Sequence, residues 1–256
     1  MSTESIKPTA RQKPGGAVHL MLTCLCDAFY PEVGMAAVRI LEHRGYKVAF
    51  EANQTCCAQP AFNHGDWAAA RKVARATLKV FRDAEVLVTP SGSCAAMIRW
   101  GFPQLFRGEP ELEEAKALGS RTWELMEFLA LHEGLEAWPG KWEGRVVLHK
   151  SCHLRELQPH NGSDLLLASI KGLELVGPKT PEQCCGFGGT FTVSFPWTSQ
   201  EMGGNKLRDL STTGPDVIAS TDMGCVMHLR GMAAKAPGVS PRLCHVAEIL
   251  AESLSP

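Results

Sequence analysis

Eight of the ten cysteines in this 256-residue chain fall into two matched sets. Cys24, Cys56, Cys57 and Cys94 occupy the first half, and Cys152, Cys184, Cys185 and Cys225 the second. Both halves read Cys-x31-Cys-Cys, followed by x36 in the first and x39 in the second before the last cysteine. The first three pairs are offset by 128 positions, half the chain, and the fourth by 131. A 31-residue gap ending in a Cys-Cys pair, met twice at that offset, marks a tandem duplication. Thiolates are soft ligands that select iron–sulfur clusters, Zn(II) or Cu(I). Four of them in one crevice suffice for a cluster.

The residues around the cysteines fit that chemistry. Cys184-Cys185-Gly186-Phe187-Gly188-Gly189 sets three glycines beside the paired cysteines, where backbone N–H groups can approach an anion closely. Pro90-Ser91-Gly92-Ser93 leads into Cys94, and Asp222-Met223-Gly224 into Cys225. Each of these cysteines is expected to open a helix, whose dipole favours thiolate. Met97 and His228 follow Cys94 and Cys225 by three residues and are candidate extra ligands on the same helical faces. His149 and His153 flank Cys152, where either could tune a cluster by hydrogen bonding or carry protons. Cys26 and Cys244 lie outside the repeated sets and read as small buried hydrophobes. Arg155, Arg208 and Arg230 are carboxylate-binding candidates only by their proximity to the motif loops.

Positioning such widely spaced cysteines requires a repeating framework, and the chain supplies one. In the first half, strands are expected at residues 17–23, 47–52 and 85–89, and helices at 32–43 and 67–81. In the second half, strands are expected at 145–149, 173–176 and 216–220, and helices at 164–170, 204–210 and 225–235. Residues 121–132 look helical, with a counterpart at 247–254, because Glu127-Phe128-Leu129 resembles Glu248-Ile249-Leu250. Strands alternating with helices predict an α/β fold of two pseudo-symmetric repeats, each with a small, mainly parallel sheet flanked by helices. Every matched cysteine then follows a strand, and ligand sites in open α/β sheets lie outside the carboxyl ends of the strands. The expected organisation is a disordered tail over 1–16 and two cysteine-rich repeats over 17–140 and 141–256.

Composition narrows the function. Lys plus Arg is 26 and Asp plus Glu is 27, so no basic excess points to nucleic acid. Cysteine is about 4% of the chain, below the roughly 8–10% of a disulfide scaffold. The first sixteen residues lack the apolar stretch of a secretory signal. No apolar run approaches the roughly 20 residues of a membrane span. A cytoplasmic, reducing location is expected, where cysteines serve metals or thiol chemistry rather than disulfides. No Gly-Lys-Ser/Thr phosphate loop, dinucleotide fingerprint, Gly-x-Ser-x-Gly elbow or close-spaced ferredoxin cysteine run is present.

These patterns resemble the tandem cysteine-rich CCG domain of heterodisulfide reductases and glycolate oxidase iron–sulfur proteins. The resemblance is strongest to the lactate utilization protein A family, the small two-repeat form, and covers nearly everything from Val18 to Leu254. It is carried by Gln54-Thr55-Cys56-Cys57-Ala58-Gln59-Pro60, Gly92-Ser93-Cys94-Ala95-Ala96-Met97, the Cys184–Phe191 stretch and Asp222-Met223-Gly224-Cys225-Val226-Met227. The resemblance implies an iron–sulfur redox subunit of a cytoplasmic system that oxidises L-lactate to pyruvate. It implies one or two clusters, of 4Fe–4S type, held by the eight repeated cysteines. The partners it implies are a ferredoxin-like iron–sulfur subunit and a third lactate-utilization protein. Two departures stand out. The broader motif ends in Cys-x-x-Cys, whereas these repeats end in Cys94-x-x-Met97 and Cys225-x-x-His228, and Ala58 replaces the name-giving glycine in the first repeat.

Three other readings fit the same residues. A glycolate oxidase iron–sulfur subunit differs only in substrate. Four thiolates also suit tetrahedral zinc, which gives a structural or assembly module without redox activity. The adjacent cysteines alone could serve thiol–disulfide exchange, although vicinal disulfides are geometrically restrictive.

Overall fold

The computed structural model describes residues 6–157, 162–235 and 241–254, with backbone alone for Arg155 and Glu156. Eight strands form two four-stranded sheets. The first contains β1 (Ala17–Leu20), β2 (Lys47–Phe50), β3 (Leu87–Thr89) and β4 (Thr122–Glu124) in the order β2-β1-β3-β4. The second contains β5 (Lys141–His149), β6 (Lys171–Val176), β7 (Val217–Ser220) and β8 (Arg242–His245) in the order β6-β5-β7-β8. All pairings are parallel, and the two topologies are the same. The chain is therefore the expected duplicated α/β fold.

The sequence pattern locates three strands in each half, and the fold adds a fourth to each. β4 and β8 are short and lead directly into the helices Leu125–Glu127 and Val246–Ser253. Residues 121–132, expected as one helix, are instead β4, that single helical turn and a π-helical segment, Phe128–His132. The resemblance between Glu127 and Glu248 has a structural cause. Each closes a capping box as the third helical residue, with Glu124 or His245 at the N-cap. The helix expected at 204–210 is longer, Pro196–Ser211, because Pro196 starts it in a stretch without strong apolar periodicity.

Local sequence accounts for the main helices. Pro31–His43 begins on Pro31, buries Val33, Ala36, Ala37, Ile40 and Leu41, and is followed by Gly45 at φ 84°. Trp67–Val80 is capped by Asp66, whose carboxylate accepts from the Ala69 N–H at 3.0 Å. The central strands β3 and β7 are buried along their whole length, as expected of strands covered on both faces.

The repeats exchange packing partners. The last helix of the second repeat, Val246–Ser253, packs on Pro31–His43 of the first. Reciprocally, Leu125–Glu127 and the following π segment pack on Gly162–Ser169 of the second. One apolar core consequently runs through both repeats, from Val18 and Ile40 to Val146 and Leu250. Residues 6–16, expected to be a loose tail, are tied to the first repeat. The Thr9 N–H donates to the Ser120 carbonyl at 2.8 Å, and the Trp123 indole N–H donates to the Ala10 carbonyl at 3.1 Å. Among the described residues, no helix is long and apolar enough to cross a membrane.

Candidate metal centre

The order β2-β1-β3-β4 reverses direction between β1 and β3, and the second sheet does the same between β5 and β7. Connections leaving adjacent strands diverge at such a point and leave a crevice at the carboxyl edge. The cysteines occupy both crevices. Cys24 and Cys152 are the first residues of the short helices Cys24–Phe29 and Cys152–Glu156, whose N-caps are Thr23 and Ser151. The Thr23 hydroxyl accepts from the Cys26 N–H at 3.3 Å, and the Ser151 hydroxyl from the Leu154 N–H at 3.3 Å. Cys94 and Cys225 lie in the first turns of Gly92–Ala96 and Met223–Ala233, as the sequence predicts. The pairs Cys56-Cys57 and Cys184-Cys185 sit in the turns after β2 and β6.

Hydrogen bonds fix these turns. The Thr77 hydroxyl donates to the Cys56 carbonyl at 3.2 Å, and the Gln59 amide donates to the Ser93 carbonyl at 3.1 Å. The second gives the paired-cysteine turn a direct link to the Cys94 turn. Ala58 and Gly186, equivalent in the two repeats, adopt the same left-handed conformation, at φ 71° and 87°. The Ala58 substitution therefore leaves the turn shape unchanged and carries strain, because an L side chain disfavours this region.

All eight repeated cysteines line one cleft between the repeats, enclosing about 920 Å³ of non-atom space with open solvent at its mouth included. The sulfurs of Cys185 and Cys225 are 3.1 Å apart. The thiols polarise one another in the same pattern in both repeats. Cys24 and Cys152 are pushed up by donating to Cys56 and Cys184 and by burial. Cys56 and Cys184 are pulled well down by the thiols that donate to them. Cys57 and Cys185 are pushed up by the same bonds and by burial. Cys225 is lowered to about 7, first by Cys185, with the nearby His149 ring adding to the effect. Sulfurs this close cannot all ionise without a positive charge among them. A bound metal ion supplies it and deprotonates a coordinating thiol outright. Backbone N–H groups also point at sulfur: Gly186 to Cys184 at 3.4 Å and Phe187 to Cys185 at 3.5 Å. The donor set thus suits a thiolate-ligated metal group, and ligand atoms gather most closely in the second repeat.

The other candidate residues separate. His153 lines the cleft, with Nδ1 3.5 Å from the Cys152 sulfur. His149 ends β5, buried beside Cys185 and Cys225, with ligand atoms of the three residues within 4.8 Å of one another. His149, Met97 and His228 do not line the cleft. Met97 is packed in the apolar core of the first repeat, and His228 Nε2 lies 3.2 Å from the Ser199 carbonyl oxygen. Cys26 and Cys244 are also away from the cleft, buried, with thiols raised to about 12 chiefly by desolvation. Among the described residues no Lys or Arg lines the cleft. Arg230 donates to the Leu243 carbonyl and stacks over Tyr30, Arg208 pairs with Asn205, and the Arg155 side chain lies outside the described residues.

Sequence reasoning did not assign a role to Asp222. Its carboxylate accepts from the Ser91 hydroxyl at 2.8 Å, the Ser93 N–H at 3.0 Å, the Ser93 hydroxyl at 2.6 Å and the Ser151 hydroxyl. Three of these donors belong to the first repeat, so this one residue joins the cysteine turns of both. The available signal was an N-cap-type residue three positions before each fourth cysteine.

Comparison with known proteins agrees with this geometry. A family model described as "CCG: Cysteine-rich domain" matches residues 18–99 and again 146–230. A protein from Geobacillus kaustophilus named "Lactate utilization protein A" is 42% identical over 91% of this chain and 98% of its own length. One from Bacillus cereus named "Lactate utilization protein A 2" is 38% identical over 93% of this chain and 99% of its own. Among solved structures, a hypothetical protein from Helicobacter pylori superposes with a TM-score of 0.58 at 11% identity. It covers 98% of this chain, which spans 51% of that one, and the likeness is one of fold. With both repeats matched and the similarity running nearly end to end, the chain belongs to the cysteine-rich CCG domain family, among the lactate utilization A proteins.

Proposed function

We propose that the protein is the iron–sulfur redox subunit of a cytoplasmic system that oxidises L-lactate to pyruvate. The observation that carries this reading is the gathering of eight repeated cysteines, from six separate turns, into one cleft at the carboxyl edges of two sheets. Cys24, Cys56, Cys57 and Cys94 would hold one group, and Cys152, Cys184, Cys185 and Cys225 the other. Iron–sulfur clusters of 4Fe–4S type would supply one-electron chemistry there. The chain's own part is to position sulfur and to aim the Gly186 and Phe187 N–H groups at it.

The cleft itself does not resemble a hydroxy-acid site. Its acidic lining residue among the described residues is Asp222, which repels a carboxylate. The substrate site and the route of electrons onward are therefore assigned to partners, a ferredoxin-like subunit and a third lactate-utilization protein.

The test is iron and acid-labile sulfide content of the anaerobically purified full chain, with electron paramagnetic resonance. Iron and sulfide with a redox-active signal are expected. Protein carrying neither, even after reconstitution, overturns the proposal, and stoichiometric zinc without a redox signal replaces it with a structural module. Co-purification identifies the partners, and turnover of L-lactate against glycolate by the assembled system decides the substrate.

A further inference from the structure

His149 is 1% exposed, and neither ring nitrogen reaches a partner at hydrogen-bond geometry among the described residues, although the ring acts on the neighbouring Cys225 thiol. An imidazole buried in this way costs free energy unless something pairs with it. The ring is nevertheless held firmly in place. Its backbone is fixed in β5 opposite Ser220, whose hydroxyl donates to the His149 carbonyl at 2.9 Å. Its ligand atoms approach the sulfurs of Cys185 and Cys225 within 4.8 Å. A buried base facing two thiols at a switch point has the arrangement of a ligand rather than of a core histidine.

The first repeat differs at this position. The residue equivalent to His149, 128 positions earlier, is Met21, fully buried and packed with Cys57 and Cys94. His228, three residues after the last cysteine, is already engaged, its Nε2 lying 3.2 Å from the Ser199 carbonyl oxygen.

We propose that His149 is a nitrogen ligand of the metal group held by the second set of cysteines, so that the two sites are chemically unlike: sulfur alone in the first, sulfur and imidazole in the second. This rests on the reading of both sets as metal sites. Imidazole is a neutral donor where thiolate is anionic, so the second site differs from the first in donor type.

The experiment uses the full chain, purified anaerobically and reconstituted with iron and sulfide, in two samples that differ only in ¹⁴N- or ¹⁵N-labelled histidine. Metal and sulfide are assayed first, and pulsed paramagnetic resonance is then recorded across a redox titration. A directly coordinated nitrogen that changes isotope with the histidine label is expected. It should disappear in His149→Met and persist in His228→Gln and His153→Gln. The paramagnetic signal that carries this coupling should be the one that His149→Met shifts or abolishes. A loaded protein with only weak backbone nitrogen couplings, or a histidine coupling that survives His149→Met, overturns this ligand and leaves the redox reading standing. Zinc in place of iron sinks the redox reading, and X-ray absorption at the zinc edge then decides the ligand, a mixed nitrogen and sulfur shell supporting it and an all-sulfur shell overturning it. Protein that takes up no metal overturns both.

Discussion

The Ser91 hydroxyl donates to the Asp222 carboxylate at 2.8 Å, and the two residues hold the same position in the two repeats. Each is the N-cap of the helix that bears its repeat's fourth cysteine. Ser91 does this job for its own helix, accepting from the Cys94 N–H at 3.2 Å. Asp222 makes no side-chain cap bond. Its carboxylate is turned outward to Ser91, Ser93 and Ser151, which stitches the cysteine turns of both repeats together.

Replacing Asp222 therefore separates the turns. Asp222→Ala removes the shared acceptor of three serine hydroxyls and the Ser93 N–H, and hydrogen bonds to a charged group are worth about 1.5–3 kcal/mol each. We expect it to lower unfolding stability by roughly 3 kcal/mol or more, seen as a midpoint shift in urea with little change in slope. Ser93→Ala removes two donors of the same network and should cost less. Equal stability of Asp222→Ala and the native protein would refute the bridging role.

Arg99 and Glu127 form a fully buried ion pair, 2.7 Å from Nη1 to Oε2. The guanidinium also donates to the Leu157 carbonyl of the second repeat and the Ile6 carbonyl of the N-terminal segment. Removing one partner of such a pair leaves an uncompensated charge, a loss of about 3–5 kcal/mol. Arg99→Met should show that loss in denaturant titration. The double variant Arg99→Met/Glu127→Gln should be clearly less destabilised than the sum of the single ones, as a double-mutant cycle would read.

Ala58 and Gly186 make opposite predictions from one backbone conformation. Ala58→Gly relieves a left-handed alanine and should stabilise the first repeat by about 1 kcal/mol. In Gly186→Ala, the new Cβ would meet the Ser199 carbonyl at 2.7 Å and the Met202 Cβ at 2.8 Å. We expect a substantial loss of stability and of metal from the second set. Thermal unfolding of the two variants side by side checks both signs.

Glu124 is the N-cap of Leu125–Glu127 and is completely buried. Burial pushes its carboxyl up from the usual value to about 8, with Glu127 and Asp222 adding repulsion and the Met126 and Glu127 N–H groups opposing. A folded value above the unfolded one means that the native state binds more protons between the two. This group's contribution to stability is therefore full below about pH 4.5 and lost as pH rises toward about 8. Glu124→Gln keeps an oxygen acceptor and removes the titration. Its stability against pH should be flatter than the native curve from pH 5 to 8, with the largest gain at the alkaline end. Parallel curves would show that Glu124 is not the group responsible.

How far the sequence carried depends on what each residue reports. The duplicated cysteines reveal both repeats, and the apolar spacing of 33–41 and 67–81 reveals the helices Pro31–His43 and Trp67–Val80, because periodic burial leaves a periodic pattern. β4 and β8 were hidden because three or four residues leading straight into a helix show no alternation. The convergence of both cysteine sets on one cleft was not legible either. It follows from the exchange of helices between repeats, a long-range packing that no local spacing encodes. From sequence, His149 reads as a flank of Cys152 that could tune a cluster or carry protons, with nothing to separate it from His153. Its burial exists only once β5 is placed between β6 and β7.

The exchanged helices make the molecule a two-fold dimer written in a single chain. In a true homodimer every substitution appears on both sides of the axis, and a residue near it meets its own copy. Two aspartates at positions 91 and 222 would oppose like charges in a buried cleft, and two serines would lose the common acceptor. Joining the halves in one polypeptide lets each side change alone. Serine can face aspartate, and methionine can stand where the other half has histidine. Covalent fusion thus makes it possible for one symmetric scaffold to hold two unequal sites.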